Sequence, residues 1–194
     1  MAVSSLKSYS TSNQRVVNIN KNNKESKLSS PNQNGQIQIY KSSYRGSYSS
    51  IIRDSLRNAA LGRKVLLVQL MKGGVKQGIV NCQNLCGNLT WIRSSNSYDQ
   101  HEPEDIANNK NLTKSINDSI NELWDFCKKE LQYGEYDQII LDEIFLAVEL
   151  NIISKDDLIS TLENRFISGD VILTGTSIPK NFLLMADQIT ELRS

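Results

Sequence analysis

The sequence predicts an α/β fold, a mostly parallel sheet flanked by helices, and three observations carry that prediction. Short apolar runs recur at 37–40, 65–70, 137–142 and 171–174, and segments with helical spacing lie between them. The runs at 65–70 and 137–142 are nearly continuous rather than alternating, as strands buried on both faces are. Strands separated by helices pair in parallel through right-handed crossovers.

In chain order, Ile37-Gln38-Ile39-Tyr40 reads as the first strand. Ser49 to Leu61 follows as a helix with Ile51, Ile52, Ser55, Leu56, Ala59 and Ala60 along one side, and Gly62 ends it. Val65 to Leu70 is a buried strand, and a loop with Gly73, Gly74 and Gly78 comes next. Leu89 to Ile92 reads as a further strand, while 94–111 is polar and without a period. Leu112, Ile116, Ile120, Leu123, Cys127 and Leu131 fall at three- and four-residue steps, which is an amphipathic helix over 112–131. Asp137 to Asp142 is a buried strand ending in acids. Ser154 with Asp157 has the form of a capping box opening a helix to about Asn164. Val171 to Thr174 is the last core strand, and Asn181 to Asp187 a short helix.

Composition bounds the rest. Residues 1–34 carry five basic residues against Glu25, a net of +4, so the remainder of this +1 chain holds −3. Ser, Asn, Gln and Lys dominate that stretch, and such a segment buries too little apolar area to offset its ordering entropy. It is expected to be a disordered basic tail, with residues 35–194 forming the folded domain. The near-neutral total gives no pull toward DNA or a membrane. Cys82, Cys86 and Cys127 form no CxxC pair, and with His101 they leave a zinc site one ligand short, so buried or free thiols are expected. The start MAVSSLKSYS has no apolar signal core, and no apolar run spans a bilayer, so a cytoplasmic location is expected.

Ligands of parallel sheets gather at the carboxyl ends of the strands. Four stretches lie there: the strand-to-helix turn KSSYRGSY at 41–48, VQLMKGGVKQG at 68–78, Leu141-Asp142-Glu143, and Thr174-Gly175-Thr176. Taken singly each is ordinary. Acids after an apolar strand are usually a solvated end or a helix cap, and a lysine beside glycines is usually a surface turn. Their order in one chain carries more.

That order resembles the P-loop branch of the ATP:cob(I)alamin (corrinoid) adenosyltransferase family. The family's TGxGKGK[ST]TAA, GxxVxVVQFxKG, yDLVVLDE and VILTGR…ADLVTEM correspond to SSYRGSYSSI at 42–51, GRKVLLVQLMKG at 62–73, YDQIILDEI at 136–144 and VILTGTSIPKNFLLMADQITEL at 171–192. The resemblance covers most of 36–193, with 79–112 poorly matched. It implies a P-loop NTPase-like fold, ATP and magnesium as cofactors, and a homodimer. The reaction implied is transfer of the 5′-deoxyadenosyl group of ATP to a reduced corrinoid, cob(I)alamin or cob(I)yrinic acid a,c-diamide. By the same resemblance, Ser42, Tyr44, Arg45, Gly46, Ser47, Tyr48, Ser49 and Lys72 would meet the nucleotide, and Asp142 and Glu143 would organise magnesium. No catalytic residue is assigned, because the cobalt(I) ion is itself the nucleophile. Trp91 and 94–111 lie where the family places substrate-covering structure, and a plain surface loop is an equal reading.

The departures fall on phosphate chemistry. In a P-loop, glycines let the backbone approach phosphate, the lysine reaches it, and the Ser/Thr hydroxyl binds magnesium. Here Ser42 and Tyr44 replace two glycines while Gly46 survives. Ser47 replaces the lysine and Tyr48 the magnesium-binding hydroxyl, and Arg45 keeps positive charge at the family's earlier lysine. Thr176 stands for the arginine of TGR, and Ile79 for an acid. Tyr44 and Tyr48 are expected to fill the space of the phosphates. Three readings stay open: a transferase with impaired or lost activity, a non-catalytic relative binding a nucleotide, corrinoid or protein partner, and an unrelated P-loop ATPase. The missing lysine counts against the last.

Overall fold

The computed structural model describes residues 35–45, 48–74, 77–101, 108–166 and 168–192; the expected tail, 1–34, lies outside them. Seven strands form one sheet: β1 (Ile37–Ser42), β2 (Val65–Gly73), β3 (Gln83–Leu85), β4 (Leu89–Ser94), β5 (Gln138–Asp142), β6 (Asp170–Gly175) and β7 (Gln188–Leu192). Their spatial order is β3-β4-β2-β5-β6-β1-β7. Every pairing is parallel except that of β3 with β4. The fold is therefore the expected α/β class, a mostly parallel P-loop NTPase-like sheet flanked by helices.

The core strands explain their own composition. β2 is buried from Val65 to Met71 and β5 along its whole length, because helices cover both faces. One face packs Leu66, Val68, Leu70, Ile139, Leu141 and Leu173 against α2 (Lys110–Tyr133). The other packs Val65, Leu67, Ile140 and Ile172 against Ile51 and Ala59 of α1 (Ser49–Ala60). Burying a large apolar side chain contributes roughly 1.5–3 kcal/mol, well above the few tenths that helix propensity decides, so packing holds these helices in place.

Helix ends follow local chemistry. α2 begins before its apolar series because the Asn109 side chain accepts from the amides of Asn111 and Leu112, both at 3.1 Å, and it stops where Gly134 takes φ 68°. Two more helices follow β5, α3 (Ile144–Glu149) and α4 (Lys155–Glu163), and α5 (Lys180–Met185) precedes β7. Ser154 caps α4 by accepting from the Asp157 amide at 3.5 Å. The reciprocal half of the expected box does not form. The Asp157 carboxylate instead accepts from Trp124 Nε1 at 2.7 Å and Lys128 Nζ at 3.2 Å, tying α4 to α2.

Three elements depart from the sequence reading: the antiparallel strand β3, the helix α3 directly after Glu143, and ADQITEL, which forms the edge strand β7 beside β1. No helix among the described residues is long and apolar enough to cross a membrane.

Gly175 closes β6 against α3. A Cβ there would stand 2.6 Å from Cβ of Phe145, whose ring packs edge-on against Phe182 at 5.1 Å. Gly175→Ala is expected to lower the unfolding free energy by about 1–3 kcal/mol through overpacking. Urea denaturation reads this directly, and an unchanged midpoint would mean that α3 yields freely.

Candidate functional site

Buried polar side chains collect at one edge of the sheet. Ser42, Gln69, Ser94, Asp142, Glu143 and Thr174 are all buried; Gln69 lies within β2, level with Asp142, and the others lie at, next to or just past the carboxyl end of a strand. Strand register explains the convergence. Arg93, Gln69 and Asp142 are lateral partners on β4, β2 and β5, so their side chains share a face. Thr174 follows Leu173, the partner of Leu141, and extends the row onto β6. This is the face that α1 covers.

Asp142 is the centre of the row, with 2% of its surface exposed. An unpaired carboxylate there would cost several kcal/mol in lost hydration. Three groups prevent that, and two more act through one of them. Asp142 Oδ2 accepts from Gln69 Nε2 at 2.7 Å and from Lys72 Nζ at 3.0 Å, and Oδ1 accepts from the Thr174 hydroxyl at 2.9 Å. The other two act on Gln69, since Arg93 Nε at 2.8 Å and Trp91 Nε1 at 3.0 Å both donate to its Oε1. With the carbonyl so engaged, the amide nitrogen of Gln69 faces Asp142. Lys72 reaches the site because the β2–β4 register shifts between Gln69 and Gly73, adding residues to β2 just before the loop.

Glu143 turns the chain sharply at the start of α3. Its φ of 58° is left-handed, a conformation that costs a non-glycine residue about 1–2 kcal/mol. Two contacts hold it. Its backbone N–H donates to Thr174 Oγ1 at 2.7 Å, and its carboxylate accepts a two-pronged pair from Arg45, Nε to Oε1 at 3.0 Å and Nη2 to Oε2 at 2.9 Å. The hydrogen bond to Glu143 raises the Arg45 guanidinium above its ordinary pKa, against the opposing effect of burial. Thr174 thus serves both acids, donating to one and accepting from the backbone of the other.

The phosphate-loop residues separate. Ser42 is buried, and its hydroxyl accepts from the Tyr44 amide at 3.4 Å. Tyr44 is 55% exposed. Tyr48 is 1% exposed and packs with Ile51, Leu67 and Ile140 in the apolar layer under α1. It stands at the amino end of α1 and provides no side-chain cap, and Ser49 after it is exposed. Gly46 and Ser47 lie outside the described residues. Arg45, Lys72, Asp142 and Glu143 come together at this edge as two ion pairs. The sequence reading placed neither Arg93 nor Trp91 in this site. The signal for them was parity: Leu89, Trp91 and Arg93 alternate onto the face shared by Val65, Leu67 and Gln69.

Magnesium does not fit the donor set in this arrangement. Both oxygens of Glu143 are taken by Arg45, and both of Asp142 by Thr174, Gln69 and Lys72. Two side-chain cations already balance the two acids. The Tyr48 phenol is buried and makes no hydrogen bond of good geometry among the described residues, although the backbone of Ser42 and of Gly175 lies near it.

A parallel sheet with a turn-to-helix after β1 and paired acids after β5 defines a P-loop NTPase-like protein. The family of ATP:corrinoid adenosyltransferases BtuR/CobO/CobP matches residues 33–194. The corrinoid adenosyltransferase of Escherichia coli K12 is 24% identical over 167 residues, covering 82% of this chain and 76% of that protein. The uncharacterized protein all2391 of Nostoc sp. PCC 7120 is 25% identical over 171 residues, 82% of this chain; the chain spans only 44% of that relative. This chain belongs to the ATP:corrinoid adenosyltransferase family.

Two predictions follow from the geometry. Thr174→Val keeps the shape but strands the Glu143 amide and one oxygen of Asp142, and is expected to cost about 1–3 kcal/mol in chemical denaturation. A loss within error would mean water replaces the hydroxyl. The second concerns Tyr48, whose phenol is pushed from 10.0 up to about 12 by burial, reinforced by the charges of Asp142 and Glu143. The folded chain keeps this proton where the unfolded chain has lost it. Its contribution to stability is therefore full below pH 10 and is lost as pH rises to about 12. Tyr48→Phe is expected to flatten that fall in Tm and to leave neutral-pH stability equal or about 1 kcal/mol higher, since the hydroxyl it removes makes no well-formed hydrogen bond. A less stable variant at neutral pH would overturn this.

Proposed function

We infer that this chain is a member of the family without adenosyl transfer, a non-catalytic relative that keeps the sheet and both acids as a self-neutralised network. The observation that carries the reading is the pairing of Glu143 with Arg45 and of Asp142 with Lys72. An acid pair serving magnesium and triphosphate must present free oxygens, and here all four are committed within the chain.

The substitutions at Ser47 and Tyr48 support the same reading. One charge-assisted hydrogen bond to phosphate contributes roughly 1.5–3 kcal/mol, about ten- to a hundredfold in affinity. Losing the lysine and the magnesium hydroxyl together exceeds that, and Arg45 is held on Glu143 rather than left for phosphate. The remaining parts of the proposal rest on composition and resemblance: a polar, basic tail over 1–34, a folded domain over 35–194, a cytoplasmic location and a homodimer.

A second reading, an active transferase for ATP and a cobalt(I) corrinoid, draws on the convergence of Lys72, Asp142 and Glu143 at one edge. Such a reaction asks the protein chiefly to position ATP and exclude water, because the corrinoid supplies the nucleophile.

The deciding experiment incubates the full chain with ATP, magnesium and chemically reduced cobalamin and follows the visible spectrum of the cobalt–carbon product. No product above the protein-free control is expected. Formation at a rate proportional to protein concentration would sink the proposal. Ser47→Lys with Tyr48→Thr is expected to strengthen magnesium–ATP binding roughly tenfold or more in calorimetry. Unchanged affinity in that variant would place the obstruction in the Arg45–Glu143 and Lys72–Asp142 pairs.

A further inference from the structure

Arg93 differs from the other two cations of this edge. Arg45 and Lys72 each face a carboxylate, whereas Arg93 has no acidic partner among the described residues. It is nevertheless fixed in place. Its Nε donates to Gln69 Oε1 at 2.8 Å, and its guanidinium carbon lies 4.8 Å from the centre of the Trp91 ring. Those contacts leave the two terminal amino groups without a hydrogen-bond partner among the described residues. A guanidinium held at Nε and stacked on an indole loses little freedom on binding, and its free edge matches the geometry of an oxyanion.

Arg93 lines a pocket of about 170 Å³ together with Gln77, Gln83 and Trp91. Around the cation the pocket offers two neutral amides and an indole face, with no acid to compete for the arginine. The Gln83 amide nitrogen is committed to the Asn81 carbonyl at 3.1 Å, which leaves its oxygen as an acceptor for a protonated oxygen or an N–H.

We propose that this pocket is a binding site for the oxyanion group of a small molecule, a phosphate ester or a carboxylate, with Arg93 as its receptor. Gln69 is the positioning residue, since it fixes Arg93 and is itself fixed by Asp142. The site lies on β4, outside the phosphate-loop turn, and it does not rest on the loss of adenosyl transfer proposed above.

The test is calorimetric titration of the full chain with inorganic phosphate and, separately, with acetate, at ionic strength held constant with chloride. Tryptophan fluorescence followed in the same titrations reports on Trp91. Saturable binding of at least one anion in the millimolar range or tighter is expected. Phosphate alone would assign the phosphoryl class, and acetate alone the carboxylate class. Arg93→Gln is expected to weaken binding by roughly tenfold or more. Arg93→Lys keeps the charge but not the fork, and is expected to be weakened to a similar degree. Saturation with neither anion, an Arg93→Gln affinity equal to the unmodified chain's, or an equal response to chloride would overturn the proposal. The readout is binding of an inorganic ion, so its failure and a finding of adenosyl transfer are separate results.

Discussion

Asp142 is a charge placed inside a sheet, and the architecture of the site follows from the need to keep it there. β5 is the fourth strand of seven, flanked on both sides, so its last residue has little access to water. Each neighbouring strand answers with a donor at the same level: Gln69 and Lys72 from β2, Thr174 from β6. The requirement then spreads outward. Gln69 must present its nitrogen inward, so its oxygen must be satisfied from β4, and Trp91 and Arg93 do that. Thr174 must present its proton to Asp142, so its lone pair is open to the Glu143 amide, which holds that residue in a left-handed turn.

The same requirement bears on function. A metal ion and a polyphosphate offer one way to balance two acids at a strand end, and two side-chain cations offer another. In this chain the second arrangement is built, with Arg45 supplied by the turn after β1. Tyr48, lodged in the apolar layer beneath α1, makes that layer continuous up to the turn. Both features push the same way, toward a closed and neutral edge, while Arg93 one strand further out is left as an oriented cation.

Much of the fold was legible because the central strands and the two long helices are controlled by local apolar spacing. Val65–Leu70 and Gln138–Asp142 are buried on both faces and read as such, and the α2 series at 116, 120, 123, 127 and 131 is the face that packs. The elements that escaped are those whose state is decided by neighbours. Gln83-Asn84-Leu85 carries no strand signal of its own and is extended because it pairs antiparallel with β4. Gln188–Leu192 is an edge strand of mixed polarity whose pairing with β1 is its defining interaction. The six residues of α3 are too few for an amphipathic period to be seen. Asp157 illustrates the limit at a single residue, since its spacing from Ser154 promised a capping box and its carboxylate went to Trp124 and Lys128 on another helix.

By itself the sequence determined which residues could come to the working edge of the sheet, because the parity and order of its strands bring Arg45, Lys72, Asp142 and Glu143 to one side of one fold. It also determined that the stretch from Ser42 to Ser49 carries an arginine and two tyrosines but no lysine. Only the tertiary structure decided how those groups spend their charges. That each acid is bound by its own cation, that Gln69 points one way and not the other, and that Tyr48 is buried while Tyr44 is exposed depend on register across four strands and on a left-handed turn at Glu143. Hydrogen-bond direction and burial are properties of the assembled sheet, where strands distant in sequence meet, and no local pattern of residues encodes them.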